Sequence, residues 1–499
     1  MATIQAIHAK EILDGRGVPT IETTIWLDNG LTASSSVSAG TATGKYEGFE
    51  LRDKDPSRMV GKGVLKAVAN VNEVIAPQLI GKDPSSQEEL DQIMINLDGT
   101  PNKSKLGANT TSSVSQAILK VAALDHGLPL YSYIQQRYQF TTSLAIPSCI
   151  FCMIDGGEHG SDNADLQEFQ IIPASFMEYP NALNAAAVFQ KKLEEVLITK
   201  KAIHSVGVLG GFAPNLYSNT DVLELLIETV KATPYNFAQD LFFGVDAAAN
   251  SFYFNGKYQL KDKNTAYTTK ELFEYYQNIR TVYKAIYFED PFGISDKNGW
   301  KDLTSTFDEA ARVSADSLTD TNITQVDLVV REKLANTFVL KPSKIGTITE
   351  FMAAVRYIKQ TSAQIVVSHR SGETSDDFIA DLAVGIGADY CKFGPVMRQE
   401  RLAKYNRLSQ IYTELSTSPA QPSAPVQATQ PIVPTESVPT TTEAVDQVTE
   451  VSAEPVAANT PLQIIDSAPT DEMAEEVATP TELTQSTEPS QPSEPDVLS

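Results

Sequence analysis

The sequence predicts an α/β chain: a strand–helix barrel of TIM type, preceded by an α+β segment and followed by a tail that builds no core. Three observations predict it. Between about residues 145 and 413, short apolar runs that each stop at a charged or polar residue alternate with helical patterns. The first 130 residues mix strand and helix signals without that regularity. From Ser416 onward the chain has no Phe, Tyr, Trp, Lys or Arg. The parts are placed at 1–135, 136–415 and 416–499.

In order along the chain, Thr20–Asp28 alternates apolar and polar residues and runs into Asn29-Gly30, a hairpin turn signal. Ser38–Lys45 is built of small residues with two glycines and reads as a mobile loop or a plain turn. Residues 62–78 and 107–136 carry helical periodicity. Six apolar runs then end at Asp246, Glu289, Asp316, Lys341, His369 and Lys392. In a barrel of parallel strands such ends meet at one mouth. The run ending at His369 continues into Arg370, Ser371 and Gly372, a guanidinium fork and a hydroxyl suited to phosphate or carboxylate. The tail is rich in Pro, Thr, Ser, Glu, Ala and Val. It buries too little to offset its ordering entropy and is expected to be disordered.

Bulk charge narrows the function. The formal charge of −24 argues against nucleic acid or an anionic membrane surface as partner. Fourteen of the acids lie in the tail, so the body carries about −10. No run approaches the roughly 18 apolar residues of a membrane span. Met1–His8 has no basic head before an apolar stretch, and a cytoplasmic protein is expected. Three cysteines build no disulfide framework; Cys149 and Cys152 sit in an apolar run, where packing is favoured over redox work.

The strand-end residues suggest a chemistry. Asp246, Glu289 and Asp316 supply hard oxygen ligands for a cation. Lys341 and Lys392 would point into the same mouth. A lysine beside a cation has its ammonium form disfavoured and is equipped to act as a base.

Longer motifs turn this pattern into a resemblance. Glu11–Gly17, Gly61–Val64, Asp98–Asn109, Gly156–His159, Gln167–Phe169, Ala213–Leu216, Ser368–Thr374 and Ala403–Asn406 together resemble enolase, phosphopyruvate hydratase, over about residues 4–413. The resemblance implies an enolase-type (β/α)8 barrel with an N-terminal capping domain, at least a dimer, and 2-phosphoglycerate and phosphoenolpyruvate as ligands. It places Asp246, Glu289 and Asp316 on Mg²⁺ and makes Lys341 the base at C2. It sets Lys392 on the substrate carboxylate and Arg370 with Ser371 on the phosphate. His159 and His369 become active-site histidines, with Gln167 and Glu168 on the hydroxyl side. Enolase-superfamily sites are the standing example of a Lys or His base working with Mg²⁺.

Three departures from the family pattern stand out. Val208-Leu209-Gly210-Gly211 replaces Asp-Glu-Gly-Gly, so Leu209 stands where the family has the general acid for the C3 hydroxyl. Ala42 replaces a loop serine that ligates a second Mg²⁺, and Ser38-Ala39 replaces Pro-Ser nearby. Ser317 replaces the second acid after Asp316. The expectation is reduced dehydration by a family lyase, with partial substitution by Glu168 as acid the less favoured reading. The alternative is an inactive paralogue that acts as a binding protein.

Overall fold

The computed structural model describes residues 2–417 except Ala42, 161–163, Tyr217 and Asp262. The reading of 416–499 as a disordered tail therefore falls almost wholly outside the described residues, as does the substitution at Ala42.

The N-terminal part opens with an antiparallel sheet of β1 (Ile4–Leu13), β2 (Pro19–Leu27) and β3 (Thr32–Ser36), in the order β1-β2-β3. The turn between β2 and β3 holds Asn29-Gly30 as expected, with Gly30 at φ +87°. Ile7, Ala9, Ile21 and Ile25 of the sheet pack with Val114, Ile118 and Val121 of the helix Ala108–Asp125. Residues 65–79 are helical, with a π-helical middle at Asn70–Ile75. Gln87–Asp98 forms a further helix that the periodicity reading left out.

Eight strands close the barrel: β4 (Ser148–Asp155), β5 (Glu168–Pro173), β6 (Leu241–Asp246), β9 (Ala285–Glu289), β10 (Arg312–Ala315), β11 (Thr337–Leu340), β12 (Gln364–Ser368) and β13 (Tyr390–Gly394). The short hairpin of β7 (Tyr253–Phe254) and β8 (Lys257–Tyr258) stands apart from it. The expected strand–helix repeat breaks at its start. β5 pairs antiparallel with both β4 and β6, and two helices, Tyr179–Thr199 and Asn219–Lys231, follow it before β6. The other barrel pairings are parallel. Because β5 is reversed, its first residue faces the mouth where its neighbours end. Glu168 is thereby the register partner of Asp246 and of Asp155.

Ile150, Ile172, Tyr287, Val339 and Val366, from five barrel strands, form a small cluster of their own, as expected for a filled barrel interior. A much larger apolar cluster joins the strands to the surrounding helices. The three cysteines are free and buried, with Cys149 Sγ 3.4 Å from Cys391 Sγ on the neighbouring strand, which fits the packing reading. Among the described residues no helix is long and apolar enough to cross a membrane.

The N-terminal elements are hydrogen-bonded to the barrel near its mouth. Ile348 N donates to Ser115 Oγ at 2.9 Å, and Thr349 N donates to Asp91 Oδ2 at 2.9 Å. Ala39 and Gly372 exchange two backbone bonds of 2.9 and 2.8 Å. These contacts bring the loop after β3 against the polar run that follows β12.

Candidate active site

The mouth of the barrel opens into a cavity of ≈280 Å³. Its walls include His159, Gln167, Glu168, Asp246, Asp316, Lys341, His369, Arg370, Ser371 and Lys392, ten of the eleven residues singled out from the sequence. Glu289 lies just beneath them, fully buried, with Oε2 2.7 Å from Lys392 Nζ. Leu209 lines the same cavity and offers no proton.

Register explains the convergence. Asp246 and Glu289 are partners at the ends of β6 and β9, and Ser314, two residues before Asp316, pairs with Glu289. Lys392 is 1% exposed and lies among three carboxylates: Glu289, Asp246 at 3.0 Å and Glu168 at 3.4 Å. Lys341 Nζ donates to Asp316 Oδ2 at 2.6 Å. Burial pushes the Asp246 carboxyl up to about 6, against the pull of Lys392. Burial and the charge of Asp246 push Glu289 up to about 8. At Asp316, burial acts upward but Lys341 and Lys344 outweigh it, and the group is held well below the carboxylate range.

Among the described residues no three His, Cys, Asp or Glu side chains stand close enough together to hold an ion as they are. Ammonium groups lie on the carboxylates instead. The donor set nevertheless fits a hard cation: all its donors are carboxylate oxygens, and Glu289 Oε1 is buried with no hydrogen-bond partner. Burial first, then neighbouring carboxylates, raises Asp246 and Glu289, and a divalent cation would relieve the second of these. Asp246, Glu289 and Asp316 are the residues that would hold it.

The opposite wall is a chain of hydrogen bonds. Arg401 donates from Nη1 to His369 Nδ1 at 2.8 Å and to the Arg370 carbonyl at 2.6 Å, and from Nη2 to the Ser371 carbonyl at 2.6 Å. A guanidinium only donates, so His369 carries its proton on Nε2. Burial first, then Arg401, keeps that ring neutral. Arg370 pairs with Glu47. The Ser371 hydroxyl takes bonds from Arg16 Nη1 at 3.1 Å and from Thr41 Oγ1 at 2.7 Å. Burial holds His159 down at about 4, so it too is neutral at pH 7, and its Nδ1 has no hydrogen-bond partner. Glu168 feels burial upward, but the charge of Lys392, helped by a 3.0 Å bond from Gln170 Nε2, prevails and holds it low, as a carboxylate.

Sequence reasoning missed Arg16, Glu47, Asp320 and Lys344. Arg16 stood in a quoted turn, Asp14-Gly-Arg-Gly17, whose guanidinium pairs with Asp14 at 2.8 Å. Asp320 follows Asp316 by four residues and Lys344 follows Lys341 by three. Both spacings return a side chain to the same side of a helical turn, which is the signal that marks them.

Asp155 lies under the loop that carries Leu209. Its Oδ2 accepts from Leu209 N at 2.9 Å and Gly210 N at 3.2 Å, and its Oδ1 faces Cys152 Sγ at 3.3 Å. Burial, then Glu168, raises it to about 7. A raised carboxyl binds its proton more tightly folded than unfolded. The stability this contributes is complete below pH ~4 and is lost as pH rises through 7. Asp155→Asn keeps an acceptor for both amides and has no proton to lose. Its stability relative to the native chain is expected to grow by up to ~3 kcal/mol between pH 5 and 8. Urea unfolding at the two pH values measures this; an equal difference at both would contradict it.

Comparison with known proteins agrees with this geometry. Residues 4–134 match the family described as "Enolase, N-terminal domain", and residues 143–425 match "Enolase, C-terminal TIM barrel domain". The chain is 40% identical over 416 residues to a protein named "Enolase" from Ehrlichia canis (strain Jake), covering 83% of this chain and 97% of that protein. With both family segments matched in order and a relative this similar along nearly its whole length, the chain belongs to the enolase family.

Proposed function

We propose that this chain interconverts 2-phosphoglycerate and phosphoenolpyruvate at the barrel mouth, with proton exchange at C2 retained and loss of the C3 hydroxyl slowed. The observation that carries the reading is the gathering of ten expected residues around one cavity, with Leu209 among them.

Arg370 and Ser371 bind the phosphate, with Arg16 beside them holding the serine hydroxyl. Lys341 leaves its pair with Asp316, gives up one ammonium proton to solvent, and takes the C2 proton as the neutral amine. Lys392 faces the substrate carboxylate. When bound by Asp246, Glu289 and Asp316, Mg²⁺ would stabilise the negative charge that builds on that carboxylate. On the hydroxyl side, His159 is neutral and Glu168 is ionised, so neither is a ready proton donor at pH 7. A homodimer and a cytoplasmic location go with this reading through the family.

The test is 2-phosphoglycerate with Mg²⁺ in D₂O. Deuterium is expected to enter C2 faster than phosphoenolpyruvate forms. Lys341→Ala should lower the exchange by about 10²–10⁴, the usual worth of a positioned base. Product formation as fast as exchange would refute the slowed step. A second reading, a binding protein on this scaffold, is favoured by Leu209; it predicts 2-phosphoglycerate binding with neither exchange nor product.

A further inference from the structure

The cavity contains a cation that the proposed reaction does not use. Lys344 closes the short 3-10 turn Pro342–Lys344 that follows β11, and it is 6% exposed. Its Nζ donates to Asp316 Oδ1 at 3.1 Å and to Asp320 Oδ1 at 2.7 Å. Asp316 is therefore shared, one oxygen to Lys341 and the other to Lys344.

Asp320 connects this ammonium to the loop after β3. Its Oδ2 accepts from Tyr46 N at 2.9 Å. Gly44 lies so close that an added Cβ would come within 2.1 Å of the Asp320 carboxylate. Gly44 N donates to Glu47, Glu47 pairs with Arg370, and Gly48 N donates to the Lys344 carbonyl at 2.7 Å. The loop side of the mouth is thus tied to two buried cations, Lys344 and Arg370.

We propose that Lys344 is a resident cation of the cavity. Its ammonium occupies the position between Asp316 and Asp320 that would otherwise draw a divalent ion, so the cavity takes one such ion, held by Asp246, Glu289 and Asp316. The inference rests on the metal-assisted reading above. The physical ground is simple. Two carboxylates facing one cavity attract a cation, and a fixed charge already between them repels a second arrival at short range. Lys344 belongs to the chain and holds that position at every metal concentration, so the loop stays tied to the barrel without an added ion.

The test counts ions. The full chain, stripped with chelator and supplied with inorganic phosphate, is titrated with Mn²⁺, and free Mn²⁺ is read by electron paramagnetic resonance. The native chain should bind about one ion and Lys344→Met about two. Lys344→Met with Asp320→Asn should return to about one, because the second carboxylate pocket is gone. If the Met variant fails to fold, Lys344→Gln, with a neutral polar end, serves for the same count. Two ions on the native chain, or one on a folded neutral variant, would overturn the inference while leaving the metal-assisted reading in place. No ion on the native chain would overturn both.

Discussion

Lys392→Met is expected to destabilise the chain by about 3–5 kcal/mol in the presence of chelator, the cost of breaking a buried ion pair from one side. Lys392 Nζ lies 2.7, 3.0 and 3.4 Å from carboxylates of Glu289, Asp246 and Glu168, and all four side chains are buried. Methionine fills the space and leaves three acids without their shared cation. The deficit has a sign in pH. Without Lys392, the folded-state pKa of Glu289, already raised to about 8, and of Asp246, raised to about 6, rise further. Protonation then relieves the repulsion at low pH, so the deficit is smaller at pH 5 and larger at pH 8. Mg²⁺ should reduce it by binding the folded chain alone. Urea titrations at the two pH values, with chelator and with Mg²⁺, test all three statements. A loss under 1 kcal/mol at pH 8 in chelator would mean that the acids do not depend on this lysine.

The same carboxylate cluster shows how much of the molecule was legible in the sequence. A strand buried on both faces has to be apolar until it leaves the barrel, so the first charged residue after a β-branched or aromatic run marks the mouth. That rule located Asp246, Glu289, Asp316, Lys341 and His369. It was less sharp for Lys392, which lies inside Tyr390–Gly394 and not beyond its end. It had no purchase on Gln167 and Glu168. They reach the mouth because β5 runs the other way, and a strand's direction is not written in its composition. The family resemblance supplied them. Lys344 and Asp320 were missed for a different reason. Each sits one turn past a residue already singled out, and a second charge at such spacing reads equally well as a solvated face. Only the fold shows that Lys344 is buried and bonded to two acids.

The helix Ala108–Asp125 carries the same lesson for stability. After Ala108 it runs Asn-Thr-Thr-Ser-Ser, which on composition alone disfavours helix, yet every one of these side chains is buried. The hydroxyls find partners on both sides. Thr23 Oγ1 and Ser113 Oγ lie 2.7 Å apart, and Ser115 Oγ takes the Ile348 amide. Small polar residues let the sheet, the helix and the barrel approach closely while satisfying the Ile348 amide at the start of the helix that leads away from Lys344. Tertiary contacts override propensity here, and they do so next to the mouth.

Leu209→Glu is expected to raise phosphoenolpyruvate formation by about 10²–10⁴, the range a positioned general acid supplies. Position 209 lines the cavity and is fully buried, and leucine and glutamate are close in size. Its backbone is held from below, since Leu209 N donates to Asp155 Oδ2, so a new side chain would leave from the same place. A carboxyl there would be desolvated and would share the cavity with the ionised Glu168. Both effects raise its pKa and keep it protonated at neutral pH, which is what a proton donor to the departing hydroxyl needs. C2 exchange should change little, because Lys341 is untouched. The contrast between the two rates is the discriminating readout: product formation rises towards the exchange rate while exchange stays constant. Glu158, exposed on the rim of the same cavity, provides the counter-test. If it already delivers the proton, the native chain turns over briskly, Glu158→Gln stops it, and Leu209→Glu adds nothing. A rise in product with Leu209→Glu and indifference to Glu158→Gln would establish that the missing donor at 209 is what limits this site.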